Sequence, residues 1–107
     1  MSYKFSPSLL FQKEAKRLLK KYPSLKIELL EFRNKLIEDP FQGTPLGHSC
    51  YKIRLSIASK GKGKSSGARI ITYVYVEGKT VYLLSIFDKS DKENISDKEL
   101  LKMLKDI

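Results

Sequence analysis

The residues best suited to chemistry in this sequence are lysines and arginines in its second half. Six of them lie between Pro40 and Val76, a segment without Asp or Glu: Lys52, Arg54, Lys60, Lys62, Lys64 and Arg69. Lys89 and Lys92 follow a later apolar run. Ammonium and guanidinium groups bind phosphate oxygens, and an arginine, which stays charged, can stabilise an anion that forms during a reaction. The pattern therefore predicts a site for a phosphate-rich partner.

The overall charge and length agree with this interpretation. The 21 Lys and Arg against 12 Asp and Glu give a formal net charge of +9, which favours a nucleic acid or an acidic protein segment as partner. The 107 residues leave room for one domain, residues 1–107. We expect a cytoplasmic protein without a membrane partner, because there is no signal peptide or bilayer-spanning apolar run and Cys50 is the single cysteine.

Two amphipathic helices are predicted in the first 40 residues. Ser8 can cap the first helix, whose apolar residues Phe11, Ala15, Leu18, Leu19 and Tyr22 recur at helical spacing before Pro23. Ser24 can cap the second, with Leu25, Leu29, Phe32 and Leu36 on one stripe that stops before Pro40. The apolar stripes of this helical hairpin need a partner surface, which a sheet would provide.

The remaining chain predicts strands and a last helix. Apolar and polar residues alternate over residues 51–58, and β-branched and aromatic residues fill Arg69–Glu77 and Thr80–Phe87, with a tight turn at Glu77-Gly78. Tyr3–Phe5 can form a short opening strand, and Ser96–Glu99 is a capping box for the final helix. The order predicts an α+β fold in which the two N-terminal helices pack on a curved antiparallel sheet.

Strand alternation also predicts which side chains share a face of that sheet. If Ile53 and Leu55 face the helices, then Lys52 and Arg54 point to the opposite side. We assign Arg69, Ile71, Tyr73 and Tyr75 to the same side, because burying Arg69 without a partner would be costly. This predicts an open face with cations for phosphates and with tyrosine rings, Tyr73 above all, that can stack on unpaired bases.

The order and spacing of four segments resemble the RelE/HigB superfamily of type II toxin–antitoxin toxins, with the HigB-like branch favoured. The segments are Tyr51–Leu55, Gly61–Tyr73, Leu83–Asp91 and the capped helix that begins after Ser96. The resemblance implies ribosome-dependent cleavage of mRNA without a metal or other cofactor. It also implies a cognate antitoxin, HigA-like or RelB-like, as partner.

In this family, clustered Lys and Arg replace the histidines of many small ribonucleases. The resemblance implies that Arg69 clamps the transition state and that Lys89 is an acid or a phosphate ligand. It places Lys60, Lys62 and Lys64 in a basic loop that holds RNA, with Lys52 and Arg54 as supports. Some members carry a catalytic tyrosine just beyond the last strand, where this chain has Ile95. The general base stays open between Lys92, Tyr73 and His48.

Other motifs predict no separate chemistry. Gly63-Lys64-Ser65 ends like a P-loop, but Ala58 stands where the first glycine is required. Cys50 has no Cys/His framework around it. The acidic residues Asp88, Asp91 and Glu93 are interleaved with lysines, so they do not predict a metal site.

Two alternatives to the ribonuclease stay open at this stage. One is a non-enzymatic toxin like the ParE branch of the same fold, which acts on DNA gyrase. The other is a non-catalytic domain that binds RNA or the ribosome. The basic residues around the Gly-rich loop favour the ribonuclease, because a gyrase-binding protein does not need a phosphate-cleaving cluster.

Overall fold

The computed structural model describes residues 3–60, 67–92 and 94–107. Within these ranges the elements in chain order are β1 (Lys4–Pro7), α1 (Leu9–Lys21), α2 (Leu25–Glu38), β2 (Thr44–Gly47), β3 (Cys50–Leu55), β4 (Ala68–Tyr75), β5 (Thr80–Asp88) and α3 (Asp97–Lys105). A short 3₁₀ turn, Ala58–Lys60, follows β3. Among the described helices, none combines the length and apolar character needed to span a bilayer.

The strands form one sheet in the order β1-β5-β4-β3-β2. The pairs β2–β3, β3–β4 and β4–β5 are antiparallel, whereas β1 pairs with β5 in parallel. The sheet is therefore mixed, and the prediction of an antiparallel sheet needs this correction. The physical reason is the long connection between β1 and β5, because only adjacent strands joined by a tight turn must run antiparallel.

One face of the sheet packs against the helical hairpin. The Ser8 hydroxyl accepts a hydrogen bond from the Phe11 amide at 3.0 Å, which confirms the predicted cap of α1. Buried residues of both helices meet the sheet in one core: Phe11, Ala15, Leu18, Leu25, Phe32 and Leu36 against Ile53, Ile70, Val81 and Ile86. The apolar stripes read from the sequence are thus the buried stripes of α1 and α2.

Ser24 does not cap α2, and this prediction is wrong. Ser24 already has helical backbone angles (φ −70°, ψ −17°) instead of the extended ones of a capping residue. Its hydroxyl therefore accepts no hydrogen bond from the backbone amides of the first turn. Its hydroxyl instead lies 3.1 Å from the Glu28 carboxylate and accepts the Ser59 amide at 3.0 Å. Ser24 therefore joins the helical hairpin to the turn after β3.

The opposite face of the sheet is covered in its middle by α3. The capping box at Ser96 is present, as predicted, with the Glu99 amide 3.1 Å from the Ser96 hydroxyl. Leu100 is buried in a second core with Cys50, Ile71, Leu84 and Phe87. The prediction of an open face is wrong in this region, because Ile71, Leu84 and Phe87 form an apolar surface that needs a cover.

The edge strand β2 was not predicted from the sequence. Its four residues, Thr-Pro-Leu-Gly, lack strand alternation, and proline cannot donate to a sheet ladder. The strand nevertheless pairs with β3 through a two-residue turn at His48 and Ser49. Both turn residues have left-handed backbone, with φ of 56° and 62°.

Candidate functional site

Two arginines lie directly opposite each other where β3 ends and β4 begins. Arg54 pairs with Arg69 across these strands, and Arg69 pairs on its other side with Phe87 of β5. Opposed residues of an antiparallel pair project to the same face, and like charges placed there destabilise the sheet. Such a pair breaks a local rule of sheet stability, and such breaks concentrate at functional sites.

Arg69 occupies the predicted side of the sheet but is not open to solvent. Only 2% of its surface is exposed, and its Nη1 donates a hydrogen bond to the Ala68 carbonyl at 3.1 Å. Its neighbour Phe87 belongs to the core that Leu100 and Ile95 cover. The predicted exposure of Arg69 is therefore wrong, because the segment after β5 folds back over this face. Arg54, by contrast, is exposed.

Lys92 lies over the same end of the sheet. Its Nζ is 5.0 Å from the centre of the Phe87 ring and 2.9 Å from a Glu99 carboxylate oxygen. The hydrogen bond from Lys92, the Ser96 backbone amide and the charge of Lys92 together lower the pKa of Glu99 from 4.5 to about 2. Lys92 is thus one half of an ion pair, and it can accept a proton only after it leaves Glu99 and loses its own proton.

Lys52 is tethered to the chain segment that precedes α3. Its ammonium donates a hydrogen bond to the Asn94 side-chain oxygen. Within the sheet, Lys52 pairs with Ile71, whose side chain lies in the core under α3. Lys52 therefore projects to the same face as Arg54, as strand alternation predicted.

Lys89 follows β5 immediately, beside the start of β4. Its backbone N–H donates to the Gly67 carbonyl at 3.0 Å. The preceding Asp88 is buried; one carboxylate oxygen accepts the Tyr22 hydroxyl at 2.7 Å, and the other accepts the Ser90 amide at 3.0 Å. Asp88 thereby fixes the backbone of the turn that carries Lys89 and Lys92.

We call the five residues Lys52, Arg54, Arg69, Lys89 and Lys92 the basic cluster. They converge on the end of the sheet where β3 ends, β4 begins and β5 ends. Lys62 and Lys64 of the predicted loop lie outside the described residues, as do Glu93 and the side chain of Lys60. Chemically, the cluster can bind phosphate groups, donate protons and stabilise negative charge.

Tyr73 shares this face but lies towards the other end of the sheet. It pairs with Cys50 on one side and with Tyr82 on the other. The Tyr73 ring is near-parallel to those of Tyr82 and Tyr75, at centroid distances of 5.7 and 6.4 Å. Sequence reasoning missed Tyr82, because the register of β5 against β4 cannot be read from alternation alone.

The other candidates for acid–base or metal chemistry lie apart from the basic cluster. His48, in the turn before β3, has its Nε2 3.4 Å from an Asp97 carboxylate oxygen. Burial raises the pKa of the Cys50 thiol to about 11, so a nucleophilic thiolate does not form at neutral pH. Among the described residues, no group of three or more His, Cys, Asp or Glu side chains could hold a metal ion.

A family comparison identifies the protein class to which this geometry belongs. Residues 10–107 match the family described as RelE toxin of the RelE/RelB toxin–antitoxin system. The chain belongs to the RelE toxin family. The match covers α1 to α3, including every member of the basic cluster.

Solved structures show the same RelE fold. A mutant of the E. coli toxin RelE in the free state has a TM-score of 0.65 at 22% identity, covering 95% of this chain and 97% of that chain. The intact E. coli RelBE toxin–antitoxin complex has a TM-score of 0.61 at 24% identity, and the match covers 79% of this chain and 94% of that chain. The RelBE2 complex from Mycobacterium tuberculosis has a TM-score of 0.62 at 18% identity, and the match covers 82% of this chain and 99% of that chain.

These comparisons confirm the RelE superfamily and the predicted fold class, with the correction that β1 makes the sheet mixed. The preference for the HigB-like branch stays a prediction. Ile95, which stands near the position of the catalytic tyrosine of some RelE members, packs against the core under α3. In this RelE protein that position therefore serves packing.

Proposed function

We propose that this RelE-family toxin cuts messenger RNA on the ribosome without a metal ion. The observation that carries the proposal is the pair of arginines, Arg54 and Arg69, held opposite each other beside Lys89 and Lys92. Two arginines placed opposite each other cost stability in a sheet, and such costs concentrate at functional sites. Binding and cleavage of a phosphodiester account for both.

The reaction needs a base, an acid and a stabilised anion. The ribose 2′ oxygen attacks the adjacent phosphorus as its proton passes to the base, and the bond from phosphorus to the 5′ oxygen breaks as that oxygen takes a proton from the acid. The products are a 2′,3′-cyclic phosphate and a 5′ hydroxyl. Positive charge next to the phosphate stabilises the transition state.

The burial pattern divides these roles among the cluster. The exposed Arg54 makes the direct phosphate contact, and the buried Arg69 supplies a positive charge beside it. Lys89 donates the proton to the 5′ oxygen. Of the three candidates for the base, His48 and Tyr73 lie away from the cluster; Lys92 therefore takes the role, in its neutral form, once it has left Glu99 and given up its own proton to solvent.

Cleavage of mRNA on programmed ribosomes by the purified protein tests this proposal. We expect fragments with 2′,3′-cyclic phosphate ends, and no cleavage when the attacking 2′ hydroxyl is replaced by hydrogen. Lys89→Gln should slow cleavage at least tenfold, whereas Lys16→Gln, which alters an exposed lysine on α1, should not. A full-speed Lys89→Gln protein would contradict the role of Lys89.

One observation favours a second candidate, a non-catalytic domain that binds RNA or the ribosome. The buried Arg69 guanidinium cannot touch a phosphate unless its neighbours move. Ribosome binding without cleavage would support this alternative. A gyrase supercoiling assay run in parallel tests the ParE-like alternative, for which inhibition of supercoiling is the expected sign.

We further propose that an antitoxin of the RelB or HigA type inhibits this protein in the cytoplasm. Two of the structures that share its fold, E. coli RelBE and M. tuberculosis RelBE2, are toxin–antitoxin complexes. Because the net charge is +9, we expect an acidic segment of the antitoxin to bind across the basic cluster. Co-expression with the product of the adjacent reading frame should yield a complex that no longer cleaves mRNA.

A further inference from the structure

An open cleft lies on the α3 side of the sheet, near the ends of β4 and β5 that face away from the basic cluster. It has a volume of about 580 Å³, and its walls come from the β2–β3 turn, from β4 and β5, and from the end of α3. The lining side chains are mostly aromatic: Tyr73, Tyr75, Tyr82 and His48. The proposed cleavage does not use this surface.

The three tyrosine rings of the cleft form a row. Tyr73 is inclined by 17° to Tyr75 and by 20° to Tyr82, so the three rings form one stack of near-parallel planes with Tyr73 in the middle. Tyr75 is 40% exposed, and Tyr73 and Tyr82 are half-buried against the core under α3. The exposed ring at the end of this stack, Tyr75, is suited to stacking against another planar group.

The turn that forms one wall of the cleft is strained. His48 and Ser49 both adopt left-handed backbone, in a two-residue hairpin turn where Asn-Gly would avoid the cost. The turn is held by a hydrogen bond of 3.0 Å from the Val74 amide to the Ser49 carbonyl. Asp97, 3.4 Å from the His48 Nε2, orients the imidazole. Strained backbone that borders a cleft is typical of ligand sites.

The cleft and the basic cluster lie along the same strands. Tyr73 pairs with Cys50, which stands two residues before Lys52, and Tyr73 stands four residues after Arg69. At roughly 3.3 Å per residue, the tyrosine row lies about 7 Å from Lys52 and about 13 Å from Arg69 along the strands. A single strand of RNA whose phosphates lie on the cluster can therefore reach the cleft with a neighbouring nucleotide.

We propose that this cleft, the tyrosine cleft, binds an unpaired nucleobase of single-stranded RNA. The base stacks on Tyr75 at the exposed end of the row, and His48 and the tyrosine hydroxyls hydrogen-bond its edge, as in other proteins that recognise unpaired bases. The row of aromatic rings favours an RNA strand over a peptide as occupant, because unpaired bases stack on such rings, and the neighbouring cations can hold its phosphates. The inference rests on the proposed function, since it assigns a second subsite to the same substrate.

The test is a binding measurement without ribosomes and without cleavage. The probes are two short single strands of 2′-O-methyl RNA with equal numbers of phosphates, one carrying bases and one abasic. We expect the native protein to prefer the base-bearing strand. Tyr75→Ala should weaken binding of that strand by about five- to a hundredfold and leave binding of the abasic strand unchanged.

Two control variants separate stacking from folding. Tyr75→Phe keeps the ring and should retain most of the preference for bases. Phe41→Ala removes a ring of similar exposure, 47% against 40%, that contacts Tyr3 and Tyr51 and lies outside the cleft, so it should leave the preference intact. Circular dichroism of each variant checks the fold.

Several outcomes would overturn the inference. Tyr75→Ala with native affinity for both strands removes the stacking role, and so does an equal loss for both strands, because the residue would then serve the RNA backbone. An acidic peptide that binds the cleft while the base-bearing strand does not would assign it to a protein partner. Each of these leaves mRNA cleavage by the native protein standing, whereas absence of cleavage defeats the proposed function instead.

Discussion

The Tyr22 hydroxyl donates a hydrogen bond of 2.7 Å to the buried Asp88 carboxylate. The bond joins the turn between α1 and α2 to the end of β5, 66 residues later in the chain. Asp88 also holds the turn after β5 through Ser90, and that turn carries Lys89 and Lys92. The helical hairpin therefore helps to position the basic cluster, although it contributes no residue to it.

Tyr22→Phe should remove the hydroxyl from this anchor while keeping the ring. Hydrogen bonds to charged groups contribute about 1.5 to 3 kcal/mol, so we expect a loss of that size in the free energy of unfolding, measured in urea. Asp88→Asn weakens the same bond from the other side. The double variant should lose less than the sum of the two single losses, and full additivity would show that the two groups do not interact.

Arg54→Gln should separate stability from activity. The change relieves the repulsion between opposed arginines. The free energy of unfolding in urea should therefore rise by up to about 1 kcal/mol. Cleavage on programmed ribosomes should fall at least tenfold, because the direct phosphate contact is lost. Arg54→Lys, the matched control, keeps the charge and should keep part of the activity. A loss of stability in Arg54→Gln would mean that the arginine pair is a structural feature.

In the basic cluster, the sequence predicted which face of the sheet a side chain lies on, but it did not predict whether that side chain is buried. Alternation assigned Lys52, Arg54 and Arg69 to one face correctly, since a period of two is a local property of the chain. It could not show that Arg69 is buried, because this face is packed by Ile95 and Leu100, which share a core with its neighbour Phe87 and lie about 30 residues further along the sequence. Coverage depends on tertiary packing, which no local pattern records.

The same distinction applies to the fold. The caps at Ser8 and Ser96 were predictable, because each depends on residues within one helical turn. The parallel pairing of β1 with β5 was not, and neither was the bond from Tyr22 to Asp88, because both join distant parts of the chain. The role expected of Ser24 failed because residues in the 3₁₀ turn compete for its hydroxyl.

Glu99 should make stability depend on pH in the acid range. Its folded-state pKa of about 2 lies below the ordinary 4.5, so its contribution to stability is present above pH 4.5 and is lost as the pH falls towards 2. The melting temperature of Glu99→Gln should therefore lie below that of the native protein near neutral pH and converge with it near pH 2. A constant difference over this range would mean that the charge of Glu99 contributes nothing.

Lys62 and Lys64 can be tested by salt titration. Each lysine that contacts a phosphate of a single strand contributes roughly 0.7 to the slope of log affinity against log salt concentration. If both contact RNA, the double Ala variant should bind an uncleavable single strand more weakly. The slope of its log affinity against log salt concentration should be shallower by about 1.4. An unchanged slope would show that these lysines do not contact the RNA backbone.

Gly67→Ala should disrupt the start of β4. A Cβ at this position would lie 2.0 Å from the Leu55 carbonyl oxygen, where β3 and β4 pair through Leu55 and Ala68. The clash is with backbone, so the two strands must separate next to Arg69 to relieve it. We therefore expect the free energy of unfolding, measured in urea, to fall by at least about 3 kcal/mol. Gly47→Ala is the matched control: it meets no atom within 4 Å, and its φ of +86° alone should cost about 1 to 2 kcal/mol. Equal losses in the two variants would contradict the close approach of the strands at Gly67.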